Sequence, residues 1–72
     1  MKQNFKSFIV KEDRGFRLRV ESWEALAPAG LLAVEFVQEC LNEDGDVDFS
    51  STYSYNMTRD EIAIMCKGLL EA

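Results

Sequence analysis

Apolar and polar positions divide the chain into five periodic segments. Asn4 to Lys11 ("NFKSFIVK") is rich in aromatic and β-branched residues, and Phe16 to Glu21 ("FRLRVE") alternates strictly, with Phe16, Leu18 and Val20 on one face. Both read as strands, and Gly15 between them supplies the left-handed residue that a short hairpin loop needs. Further on, Leu32, Ala33, Phe36, Val37, Cys40 and Leu41 fall on one side of a 100°-per-residue plot, with Glu35, Gln38, Glu39, Asn42 and Glu43 on the other. With an N-cap candidate at Ser22 and Pro28 suited to a first turn, this predicts a short turn at Trp23 to Leu26 and a helix over about 28–43. Asp44 and Gly45 are read as its stop. Asp46 to Asn56 alternates again, Val47, Phe49, Tyr53 and Tyr55 against Asp48, Ser50, Thr52 and Ser54, and predicts a third strand. "TRDE" at Thr58 to Glu61 is a capping box, and Ile62, Met65, Cys66 and Leu69 carry a closing helix over about 59–71.

The order strand, strand, helix, strand, helix predicts an α+β fold. It would be a two-layer ββαβα sandwich in one domain, 1–72, with a three-stranded, mainly antiparallel sheet in the order 2-1-3 and both helices on one face. The other face would then lie uncovered, carrying Phe8 and Val10 or Phe5 and Ile9, and offer a docking or dimer surface.

Composition removes most chemistries. The chain has no His to act as a base near neutrality, no glycine-rich phosphate cradle, and only Cys40 and Cys66, which are far apart in sequence and expected to be buried reduced thiols. No enzyme and no cofactor are therefore expected. The longest uncharged apolar run, Ala25 to Val34, is about half the ~20 residues a spanning helix needs and contains Pro28 and Gly30. With no signal-peptide pattern in the first residues, a cytoplasmic protein without a membrane segment is expected. "NEDGDVDF" sets Asp44, Asp46 and Asp48 at the first spacings of a calcium loop, but Phe49 and Tyr55 stand where that loop needs its glycine and bidentate glutamate. No metal is expected there.

Charge is distributed unevenly. Residues 1–21 hold six basic groups against three acids, whereas residues 22–72 hold ten acids against Arg59 and Lys67. Cross-strand pairing of Arg17 or Arg19 with Asp48 would absorb part of that acidity. On the expected helix, however, Glu35, Glu39 and Glu43 recur at i, i+4 with no basic residue between them, which costs a few tenths of a kcal/mol per pair. Continued by Asp44, Asp46 and Asp48, they form a candidate acidic ridge for a basic partner. Ile64, among Asp60, Lys67 and Glu71 on the last helix, is a further candidate contact. Trp23 is expected as a lid on the core, and Tyr53 and Tyr55 as rings packed at its edge. A net charge of −5 opposes direct nucleic-acid binding through Lys6, Arg17 and Arg19.

A tiny, acidic, motif-free αβ chain with one-sided acidity resembles small phage anti-defence proteins, anti-CRISPR proteins among them, in size, charge and style across its whole length. The resemblance implies a non-enzymatic inhibitor, phage or mobile-element encoded and acting in the host cytoplasm. Its acids would stand in for DNA phosphates and occlude a basic, nucleic-acid-binding surface of a larger host defence complex. The alternative, of a different class, is a structural or adaptor module that self-associates, as a homodimer for example, through its uncovered sheet face.

Overall fold

The computed structural model describes residues 2–25 and 30–71. Four strands, β1 (Gln3–Asp13), β2 (Phe16–Glu24), β3 (Leu32–Leu41) and β4 (Val47–Met57), form one antiparallel sheet in the order β1-β2-β3-β4, followed by helix α1 (Arg59–Leu70). Every strand pairs with its sequence neighbour, so each connection is a hairpin.

The hairpin, the third expected strand and the closing helix are present, but the ββαβα sandwich is not. Residues 32–41 of the expected 28–43 helix form β3, in the middle of the sheet, and the order 2-1-3 gives way to a meander. The cause lies in the spacing of the residues. A helix and a strand both place i and i+4 on one side, so Leu32, Phe36 and Cys40 form one row and Ala33, Val37 and Leu41 another under either reading. A helix sets those two rows side by side as a single apolar stripe. A strand sets them on opposite faces, as a central strand flanked on both edges requires. The first part of the expected helix, 28–29, and the end of the expected turn, 26, lie outside the described residues, while Trp23 belongs to β2 rather than to a turn.

The turns explain themselves locally. Gly15 at φ 80° closes β1 onto β2, and its carbonyl accepts the Leu41 amide at 3.0 Å, tying the first hairpin to the end of β3. Gly45 at φ 86° serves the β3–β4 loop rather than a helix stop, since a left-handed glycine suits both. In that loop the Asn42 side-chain oxygen accepts the amides of Asp44 (2.9 Å) and Asp46 (3.0 Å), an Asx-type turn that occupies the one neutral side-chain oxygen of the acidic stretch 42–48. Thr58 alone links β4 to α1. Its hydroxyl accepts the Glu61 amide at 3.1 Å, and the Glu61 carboxylate accepts the Thr58 amide at 2.8 Å, which completes the capping box.

The packing is unusual for a folded chain. Among the described residues the buried apolar ones are Ala33, Val34 and Val37, all on β3. Helix α1 touches the end of β4, and none of its residues is buried. Accessible surface is 5681 Å², against about 4,500 Å² for a compact monomer of this mass. The radius of gyration is 14.1 Å, against about 11 Å for this length. The molecule measures 42 × 38 × 16 Å, a single layer. Among the described residues no helix is long and apolar enough to cross a membrane.

Candidate functional site

Strand register assigns each side chain to one of two unlike faces, because directly paired residues in an antiparallel sheet point the same way. On the first face, paired rows run Glu12–Arg17–Glu39–Ser50, Ile9–Arg19–Val37–Thr52 and Ser7–Glu21–Glu35–Ser54. Charges there are matched across strands. Arg17 Nε donates to Glu39 Oε1 at 2.8 Å, and Arg19 Nε lies 3.5 Å from the same oxygen. Arg17 also faces Glu12 at 3.7 Å, and Arg19 hydrogen-bonds Glu21.

The Glu39 carboxyl, 6% exposed, is held below its ordinary value. The Arg17 hydrogen bond is the largest cause, aided by the charges of Arg17 and Arg19 and opposed by desolvation. Arg17 and Arg19 are raised, through their hydrogen bonds to Glu39 and Glu21 respectively. A carboxyl that titrates lower when folded adds stability above its ordinary value of 4.5, and that stability is lost as pH falls through the depressed value. Glu39→Gln is thus expected to lower stability at pH 7 by about 1 kcal/mol, a charged hydrogen bond discounted for half-open arginines, and to flatten the acid limb of the unfolding curve below pH 4.5. Thermal melts from pH 3 to 7 check it; parallel acid limbs in the two proteins would refute the assignment.

The expected acidic ridge is consequently taken apart. Glu35 and Glu39 stand on a strand rather than a helix, Glu39 is consumed by Arg17 and Arg19, and Glu35 lies across from Glu21. Pairing of those arginines with Asp48 is replaced by pairing with Glu39, which on β3 is the direct neighbour of Arg17 and a diagonal one of Arg19. Glu43, Asp44, Asp46 and Asp48 are exposed in and beside the β3–β4 loop, and a hollow joins this loop to Glu12 and Asp13 of the first hairpin. Ile64 projects from α1, far from that loop in sequence and 70% exposed.

The second face is apolar. The row Phe8–Val20–Phe36–Tyr53 crosses all four strands, flanked by Lys6–Ser22–Val34–Tyr55 on one side and Lys11–Leu18–Gln38–Ser51 on the other. A fourth row, Asp13–Phe16–Cys40–Phe49, lies toward the turns. Its charges, Lys6, Lys11, Asp13 and Glu24, stand on the edge strand or at a strand end. No described element packs across its breadth: Phe49 is 63% and Tyr53 is 53% exposed, while Val20 and Phe36 are half-buried and Val34 is buried. The expected packing of Tyr53 and Tyr55 against a core is limited to an edge-on contact of Tyr55 with Phe36, ring centres 6.4 Å apart. Cys40, on this face, and Cys66, on α1, are exposed rather than buried for the same reason. Trp23 is no core lid either. It lies on the charged face, half-buried beside Phe5, with Lys2 Nζ 3.8 Å from its ring centre.

This face could have been found from parity alone once 32–41 was read as a strand. A hollow of about 560 Å³ where α1 leaves the sheet is lined by Asn4, Phe5, Lys6, Ser22, Glu24, Leu32, Arg59 and Ile62. Its lining brings no paired nucleophile and base together, and its chemistry is that of a packing gap. Compared with known proteins, the chain matches no family model, no curated protein and no solved structure.

Proposed function

We propose that this chain is a non-enzymatic protein-interaction module whose binding surface is the apolar face of its sheet. The observation that carries the reading is the uncharged Phe8–Val20–Phe36–Tyr53 row across the full width of the sheet, exposed at Phe8 and Tyr53 and half-buried at Val20 and Phe36. Exposed apolar patches of that breadth mark association sites, because burying them releases about 25 cal/mol per Å². The matched charges of the opposite face keep that side soluble and outward.

The second reading, occlusion of a basic nucleic-acid-binding surface by DNA-mimicking acids in the manner of anti-CRISPR proteins, draws its support from the exposure of Glu43, Asp44, Asp46 and Asp48 at one end of the sheet. Glu39 leaves that set, since its charge is already matched. A phage origin and a larger host complex as partner belong to this second reading alone.

A fluorescent apolar dye separates the two. At nanomolar chain concentration, the double substitution Phe49→Lys and Tyr53→Lys is expected to reduce dye binding several-fold, while Asp44→Lys with Asp46→Lys leaves it unchanged. Equal dye binding by the wild type and the Phe49/Tyr53 variant would exclude the sheet face as the sticky surface.

A further inference from the structure

The reading above leaves the occupant of the apolar face open; resting on it, we infer that the occupant is a second copy of this chain, and that the two copies exchange helices, each α1 lying across the apolar sheet face of the other. Three observations converge on this. The first is area. The chain exposes 5681 Å², about 1,100 Å² more than a compact monomer of its mass. Covering that excess on two chains removes about 2,200 Å² in total, the range of obligate homodimers.

The second is the helix. Ile62, Met65, Cys66 and Leu69 form an apolar stripe whose first half, Ile62 and Met65, is half-buried at the end of the sheet, whereas Cys66 and Leu69 run on exposed, Leu69 by 79%. Thr58 is the sole residue between β4 and α1, and the helix packs at β4 rather than across the other strands. The long second dimension of 38 Å, against about 15 Å for four strands at their usual spacing, reflects that placement. A chain that presents both an apolar sheet face with no helix across it and a helix whose apolar stripe runs on exposed holds both halves of a closed two-fold interface, since the contact made once is made again by symmetry.

The third is charge. At −5 per chain, self-association through most surfaces would be opposed, but the middle of the apolar face carries no charge, and its acids, Asp13 and Glu24, stand at strand ends. Two copies meeting through this face keep their like charges apart. A basic partner would find no acids in the middle of the face to pair with.

Sedimentation of the full chain from micromolar to millimolar concentration tests the inference, together with a complementation experiment. Wild type is expected at twice its 8.2 kDa. Leu69→Glu on the helix and Tyr53→Glu on the sheet, both at sites exposed in the single chain, should each raise the dimer dissociation constant at least 100-fold. Mixed together, those two variants should recover part of the dimer, detected as the heterodimer by native mass spectrometry. One of the two exchanged contacts is then intact, whereas helices kept on their own sheets would leave both contacts damaged.

A dimer broken by Tyr53→Glu but not by Leu69→Glu, or one without recovery on mixing, overturns the exchange and leaves the sheet face as the binding surface. A wild-type monomer at millimolar concentration overturns the second copy as occupant. A dimer indifferent to both substitutions overturns the sheet-face reading as well.

Discussion

Val34→Asp is expected to leave no cooperatively folded protein. Val34 is 5% exposed at the middle of β3, between Ser22 on β2 and Tyr55 on β4, on the apolar face. A carboxylate placed there has no cation opposite it and costs about 3 kcal/mol or more. A chain of 72 residues has a total stability of about 4–11 kcal/mol, and among the described residues this one has three buried apolar side chains, all on β3, to lose it from. Val37→Asp is the instructive contrast. Val37 is equally buried but on the charged face, directly opposite Arg19, which receives the new charge. Far-UV circular dichroism melts should show no transition for Val34→Asp and a lowered but cooperative one for Val37→Asp. A Val34→Asp protein melting within 10 °C of wild type would mean that the face is wet in the working state and that the assembly inferred for it is wrong.

The melting temperature of the wild-type chain is expected to climb with its concentration. For a dimer that unfolds to two chains, each tenfold rise in concentration adds about 1.4 kcal/mol. Spread over the unfolding entropy of two 72-residue chains, at about 2.1 cal/mol/K per residue, that is about 4–5 °C per tenfold. Calorimetry at 5 and 500 μM should therefore separate the two midpoints by about 9 °C. A midpoint that does not move would identify the single-layer monomer as the stable species.

How much of this was legible in the sequence differs from element to element. The first hairpin was open to reading because Phe16, Leu18 and Val20 alternate strictly and Gly15 takes the positive φ of its turn. The closing helix was equally plain, since the reciprocal Thr58 and Glu61 hydrogen bonds are a local device that needs no tertiary partner. Residues 32–41 were not. Their i, i+4 rows satisfy both periodicities, and Gly45 beyond them suits either a helix stop or a hairpin loop. The error passed straight to the site. On a helix, Glu35, Glu39 and Glu43 make an unmatched ridge; on β3, Glu39 lies directly opposite Arg17 and is neutralised by it.

The sequence by itself determined the sidedness of the segments on either side of residues 32–41, the place of the closing helix, and the concentration of acids after residue 21, because residue parity, capping and charge are local properties. Only the tertiary structure decided that Leu32–Leu41 is the strand joining β2 to β4, that Arg17 and Arg19 take Glu39 as partner, and that one face carries an uncharged apolar middle with Phe8, Phe49 and Tyr53 exposed. The physical reason is that a strand's hydrogen bonds are made to other strands, so its stability depends on neighbours far away in sequence, whereas a helix closes its bonds within itself. A segment whose pattern allows both takes the form that its neighbours can pair with.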